Sequence, residues 1–346
     1  MKFKRFLSKS VIPVASILAI IAVLSLLTGF YDLSSAPDSD DDEFLLILDD
    51  EQISVSDEGV PVASDDVDDP PSPPNHPPVI FEYAVRQLTP ADISRGNLIL
   101  INHEHGFEIP DAGRLFSIAG INVDFFRVTG DELLLLEEVI HPLFNMMNAF
   151  YLATGNDSVS VISGFRDLER QREILDDHIE RMGSVEARRW VSEPGHSEHH
   201  SGLAIDFGVY QDGVLRTFLG TGTTAWFSQY AHNFGFILRY PEGKTEITGI
   251  AHEPWHFRYV GLPHSYFIHR NGWVLEQYID VIMQYTTREN PFTAYHRGYV
   301  YEIYFTREME VRVPFGSIFD VSGTNIDGFI VTVNTHHPVV FDGVVR

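Results

Sequence analysis

The stretch "AHEPWHFRYVG", residues 251–261, decides the fold. Within it, His252-Glu253-Pro254-Trp255-His256 matches H-E-x-x-H, a pattern that places two histidines one helical turn apart in helical zinc proteases. Pro254 argues against that helix. It has no N–H for the carbonyl four residues back, its ring clashes there, and it drives Glu253 out of the α region. Downstream, Trp255, Phe257 and Tyr259 alternate with His256, Arg258 and Val260, which is strand periodicity. The reading is a turn leading into a strand, so a sheet and not a helix delivers His256, and the helical protease class is excluded.

Glu253 and His256 cannot hold a metal by themselves. The complement is expected from "EPGHSEHHSGLAIDFG", residues 193–208, with His196, His199, His200 and Asp206 around a glycine-bracketed turn. Asp206 interrupts an apolar strand pattern with Leu203, Ile205 and Phe207 on one face, and a carboxylate there is costly to bury unless paired or ligated. The chain has no cysteine, so disulfides and thiolate sites are excluded, and two histidines with one carboxylate become the expected catalytic zinc set. Spacing alone does not choose among the three histidines.

"SEHHSGLAID" fits the S-x-H-x-x-G-x-A-x-D pattern of the VanY-type D-alanyl-D-alanine carboxypeptidases, zinc peptidases of bacterial peptidoglycan. "GFILRYPEGKTEITGIAHEPWHFRYVG" resembles that family's second segment, "SGFRDLERQ" (163–171) its S-G-[FY]-R-x-x-x-x-Q segment, and "NLILINHEHGFEIP" its opening strand. The resemblance covers roughly residues 95–284. It implies one Zn2+ held by His199, Asp206 and His256, with Glu253 as general base. It further implies that Arg166 binds substrate and stabilises the transition state, while Gln171 and Ser197 line the substrate site. His196 and His200 are not ligands in that pattern and are read as loop or supporting residues; His103 and His105 are read as surface.

The fold class expected is α+β: a small antiparallel sheet with flanking helices carrying the zinc site, plus a small C-terminal all-β module. Helices are expected over 131–155, broken or kinked at Pro142, over 167–191 with a break at Gly183, over 223–236 and over 273–285; strands over 97–102, 158–165 and 202–210. From about residue 290, short alternating runs broken by Pro, Gly and Asn suggest the β module. The domains are therefore 1–31, 32–78, 79–286 and 287–346.

The first of these begins with Lys2, Lys4, Arg5 and Lys9, followed by twenty uncharged residues, 11–30. A helix of that length spans about 30 Å, the hydrocarbon thickness of a bilayer. Basic residues before it and acidic ones after it predict a membrane anchor, in preference to a cleaved signal, with the rest of the chain outside the cytoplasm. Residues 32–69 carry fifteen Asp and Glu with no Lys or Arg, and "PPSPPNHPP" (70–78) is a stiff spacer, so 32–78 reads as a disordered stalk. Residues 1–69 carry 4 − 15 = −11 of the formal charge of −25, and the −14 left for the rest of the chain argues against nucleic acid as a partner. The partners expected are a peptidoglycan stem peptide and the membrane. The function expected is removal of the terminal D-Ala, with L,D-carboxypeptidase action on tetrapeptide stems or non-catalytic wall binding as alternatives.

Overall fold

The structure is a computed structural model describing residues 83–108, 114–123, 125–129 and 133–335. The expected anchor and stalk lie outside these residues. Among the described residues no helix is long and apolar enough to cross a membrane.

The chain opens with β1 (Tyr83–Gln87), β2 (Leu115–Ser117), β3 (Asn122–Val123), β4 (Phe126–Val128) and β5 (Leu134–Leu136), then α1 (Glu137–Thr154). Next come β6 (Val159–Ser163), α2 (Leu168–Met182), α3 (Ser184–Ala187), β7 (Ala204–Gln211) and β8 (Val214–Thr217). They are followed by α4 (Ala225–Tyr230), β9 (Phe236–Leu238), α5 (Thr245–Thr248), β10 (His256–Tyr259), α6 (His264–Arg270) and α7 (Leu275–Tyr285). The chain closes with β11 (Phe292–His296), β12 (Tyr299–Thr306), β13 (Glu310–Pro314), β14 (Ile318–Gly323) and β15 (Phe329–Asn334).

The central sheet runs β3-β4-β6-β7-β10-β9, with β8 also on β7. It is larger than the small antiparallel sheet expected, and not wholly antiparallel, because β4 and β6 pair in parallel. The connection between them contains β5 and the long helix α1, the kind of crossover that parallel neighbours require. Helix α1 turns Val139, Leu143, Met146, Met147 and Phe150 onto the sheet, the spacing of a buried helical stripe. It runs through Pro142 without breaking and stops at Gly155, which takes the left-handed conformation (φ 66°). It starts later than its periodicity suggests, because Leu134–Leu136 pair with β2 before the helix begins.

Alternation in β7 and β10 sorts the two faces of the sheet. Leu203, Ile205, Phe207 and Phe257 enter the α1-side core, while Asp206, His256 and Arg258 face the other way. The expected strand at 97–102 is buried but forms no ladder. Its carbonyls are taken by side chains instead: those of Asn97 and Ile99 accept from Arg258, that of Leu100 from Asn325. The expected helix at 223–236 is α4 followed by a tighter 3-10 turn over Ala231–Phe234.

The C-terminal strands β11-β12-β15-β14 form a second sheet. On one face Ile303, Phe305 and Ile330 share an apolar cluster with Leu98, Phe267, Leu275 and Tyr278. On the other, Phe329, Val331 and Val333 pack with Val311, Val313 and Leu88 beneath the β1–β13 ribbon. This sheet and the central one are thus joined through α6 and α7.

Candidate active site

The site forms where β6, β7 and β10 end near two turns. His256 and Asp206 are directly opposed across the β10–β7 ladder. On its other side β7 meets β6, where a bulge between Val161 and Ser163 shifts the register so that Ser163 pairs with Asp206. Ser163 Oγ accepts from Arg166 Nε at 3.0 Å. Gly164 follows, and glycine is required: a Cβ there would lie 2.6 Å from the Leu134 carbonyl oxygen. The Gly164 carbonyl accepts from His199 Nδ1 at 2.6 Å, on the 3-10 turn Glu198–Ser201. Glu253 stands on the turn before β10, closed by His256 N–H donating to the Glu253 carbonyl at 3.2 Å. The 252–256 match is therefore no helix, and His252 is exposed, its Nδ1 on the Tyr240 carbonyl.

His199, Asp206 and His256 are all buried, with ligand atoms within 4.8 Å of one another. His199 Nε2 lies 3.2 Å from Asp206 Oδ2 and makes no hydrogen bond. Because the Nδ1 proton is donated to Gly164, Nε2 carries a lone pair, and it faces a carboxylate oxygen. Two acceptors held at that distance repel unless a cation lies between them, so the donor set fits a bound metal ion. Burial, reinforced by the Arg166 charge, lowers His199 to about 4, which keeps it neutral. Burial would raise Asp206, but the Arg166 guanidinium and the hydrogen bond from His256 act against it, and the carboxyl lies well below the usual carboxylate range. Burial likewise opposes a charge on His256, yet hydrogen bonds to Asp206 (3.1 Å from Nδ1) and Glu198 (3.4 Å from Nε2) lift it to about 9. An arriving metal ion must therefore displace a proton here.

Glu253 Oε2 is 3.8 Å from His256 Nδ1. Burial pushes its carboxyl up to about 8, with His256 opposing and Asp206 adding to the rise. Arg166 donates from Nη2 to Asp206 and from Nη1 to Gln171 Oε1 at 3.3 Å; Gln171 Nε2 is anchored on the Ser192 carbonyl. These residues and Ser197 border one cavity of about 370 Å3. Trp190, Tyr240 and Trp255 also line it, the two indoles stacked at 6.5 Å.

All seven residues singled out in the sequence thus meet at one cavity. His200 instead braces the Arg166 loop, its Nδ1 on the Arg166 carbonyl and its Nε2 accepting from Gly195 N–H. His196 Nδ1 meets the Asn102 carbonyl, and His103 is exposed. Sequence reading missed Glu198, Arg239, Arg258 and Glu276, a buried quartet beneath His256. One signal was present: Arg258 shares the His256 face of a strand whose other face is apolar.

Two imidazoles and a carboxylate converging on one point, with a free carboxyl beside them at the floor of a cleft, are the arrangement of a metal-dependent hydrolase. The family profile of VanY D-alanyl-D-alanine carboxypeptidase matches residues 133–262. A D-alanyl-D-alanine carboxypeptidase of Enterococcus faecium is 32% identical over 256 residues, which cover 72% of this chain and 78% of that protein. The bifunctional D-Ala-D-Ala dipeptidase and carboxypeptidase VanXYC of Enterococcus gallinarum is 43% identical, over 38% of this chain and 72% of its own. Among solved structures, the vancomycin resistance D,D-dipeptidase VanXYg, bound to a D-Ala-D-Ala phosphinate analogue, superposes with a TM-score of 0.63. It is 32% identical and the match covers 73% of this chain and 99% of that one. The chain belongs to the VanY D-alanyl-D-alanine carboxypeptidase family and is a peptidase.

Proposed function

We propose that the protein is a zinc-dependent D-alanyl-D-alanine carboxypeptidase that removes the C-terminal D-Ala from peptidoglycan stem peptides. The observation that carries the metal is the buried His199 Nε2, without a hydrogen bond and facing Asp206. His199, Asp206 and His256 would hold the ion. When bound, zinc acidifies a water and polarises the scissile carbonyl. Glu253 takes the proton of the attacking water and returns it to the leaving amine. A carboxyl raised by burial holds a proton readily, as that double duty demands. Arg166, steadied by Ser163 and Gln171, offers its guanidinium to the terminal carboxylate of the substrate or to the developing oxyanion. Gln171 and Ser197 wall the substrate site. The uncharged run at 11–30 supports placing this chemistry outside the cell membrane, anchored by the N-terminal segment.

The test is mass spectrometry of stem pentapeptide, stem tetrapeptide and free D-Ala-D-Ala incubated with the protein, with and without a chelator. The proposal expects pentapeptide to lose one D-Ala and the chelator to stop the loss. The free dipeptide is included because the Enterococcus gallinarum relative is bifunctional. Cleavage of tetrapeptide alone, or cleavage indifferent to the chelator, would overturn the assignment.

A further inference from the structure

The cavity does not account for the ionised group buried directly behind it. The Glu198 side chain has no exposure to solvent. Its two oxygens are divided. Oε1 accepts from Arg239 Nε at 2.8 Å and from Arg258 Nη1 at 2.7 Å, while Oε2 faces His256 Nε2 at 3.4 Å. Arg239 in turn grips both carboxylate oxygens of Glu276 on α7, at 2.9 and 2.6 Å. The remaining donors of Arg258 are fixed on the carbonyls of Asn97, Ile99 and Tyr259. Two acids and two arginines thus close a neutral quartet whose single unshared acceptor points at a candidate metal ligand. As a device for stability alone this is a poor arrangement, since buried ion pairs lose much of their attraction to desolvation.

We infer that Glu198 is a positioning residue for the candidate metal site. It accepts the Nε2 proton of His256, so that Nδ1, on the Asp206 side, presents its lone pair to the metal. A carboxylate on the far nitrogen also raises the basicity of the ligating one. His199 is set in the opposite sense, with Nδ1 on the Gly164 carbonyl and Nε2 inward. The two rings, perpendicular at 86° with centroids 4.9 Å apart, then converge through different nitrogens. The inference rests on the metal reading of the site.

The test uses the full chain labelled with 15N-histidine and the Glu198→Gln variant, which keeps the shape and removes the charge. Zinc-loaded wild type is expected to show the one remaining His256 proton on Nε2. The variant is expected to lose that preference and to bind zinc about 10- to 100-fold more weakly in chelator competition. At saturating zinc its KM for pentapeptide should stay within about twofold, because Glu198 does not touch substrate. Loss of one charge could unfold the quartet, so Glu198→Gln combined with Arg258→Gln, which leaves the Arg239–Glu276 pair intact, is measured alongside. A folded variant with unchanged zinc affinity and an unchanged His256 tautomer would overturn the inference. So would failure of both variants to fold, which would make Glu198 a fold-holding residue. If wild type bound no zinc, the metal reading would fall, whereas zinc bound equally by wild type and variant sinks the positioning role alone.

Discussion

His264 tests whether the C-terminal sheet and the peptidase part unfold together. Its ring is buried between α6, α7 and β15, with Nδ1 2.6 Å from the Tyr278 hydroxyl and Nε2 3.1 Å from Thr332 Oγ1. Burial lowers its pKa to about 3. In the unfolded chain it titrates near 6.5, so between these values the unfolded state binds the extra proton. The group's contribution is complete above about pH 6.5 and is lost as pH falls, by about 1.4 kcal/mol per unit, or about 2 kcal/mol at pH 5. His264→Gln keeps a donor and an acceptor at the site and removes the titration. Urea unfolding of both proteins at pH 8 and pH 5 reads the difference, in which the other buried histidines cancel. The variant should be the less stable at pH 8, and the gap should narrow by about 2 kcal/mol at pH 5. An equal gap at both pH values would refute the reasoning. Separate transitions for the two sheets would refute the premise of one cooperative core.

Two further outcomes follow from the site. Glu253→Gln should retain zinc in a colorimetric assay, since the carboxyl stands beside the ligand set, and lose about 10²- to 10⁴-fold in kcat. Near wild-type turnover would remove Glu253 as the base. His199→Ala and Asp206→Ala should each lose zinc and activity together, read by metal analysis of the purified protein; full zinc occupancy in either variant would contradict the ligand set.

Legibility in the sequence followed the range of the forces involved. Pro254 and the alternation after it act within a few residues, so the turn and strand that carry Glu253 and His256 could be read directly. The same holds for α2, which ends before Gly183, and for α1, which ends at Gly155. Residues 97–102 misled because an apolar run reports burial and not a ladder. Their carbonyls are claimed by Arg258 and Asn325, 159 to 225 residues away, which no local pattern encodes. The start of α1 was misplaced for a similar reason: Leu134–Leu136 suit a helix face equally well, and the β2 partner decides otherwise.

By itself the sequence determined the chemistry that was available. With no cysteine, any metal-ligand set had to be nitrogen and oxygen, and period-two alternation put Asp206 and His256 on a polar face opposite an aromatic core. Tertiary structure alone decided how those groups are held. The opposition of Asp206 to His256, the Gly164 contact that turns the His199 lone pair toward a carboxylate, and the Glu198 quartet all depend on pairings between residues 35 to 60 positions apart. Such contacts form only once the sheet has closed, because burial is what makes an unshared acceptor costly and therefore precise in its partner.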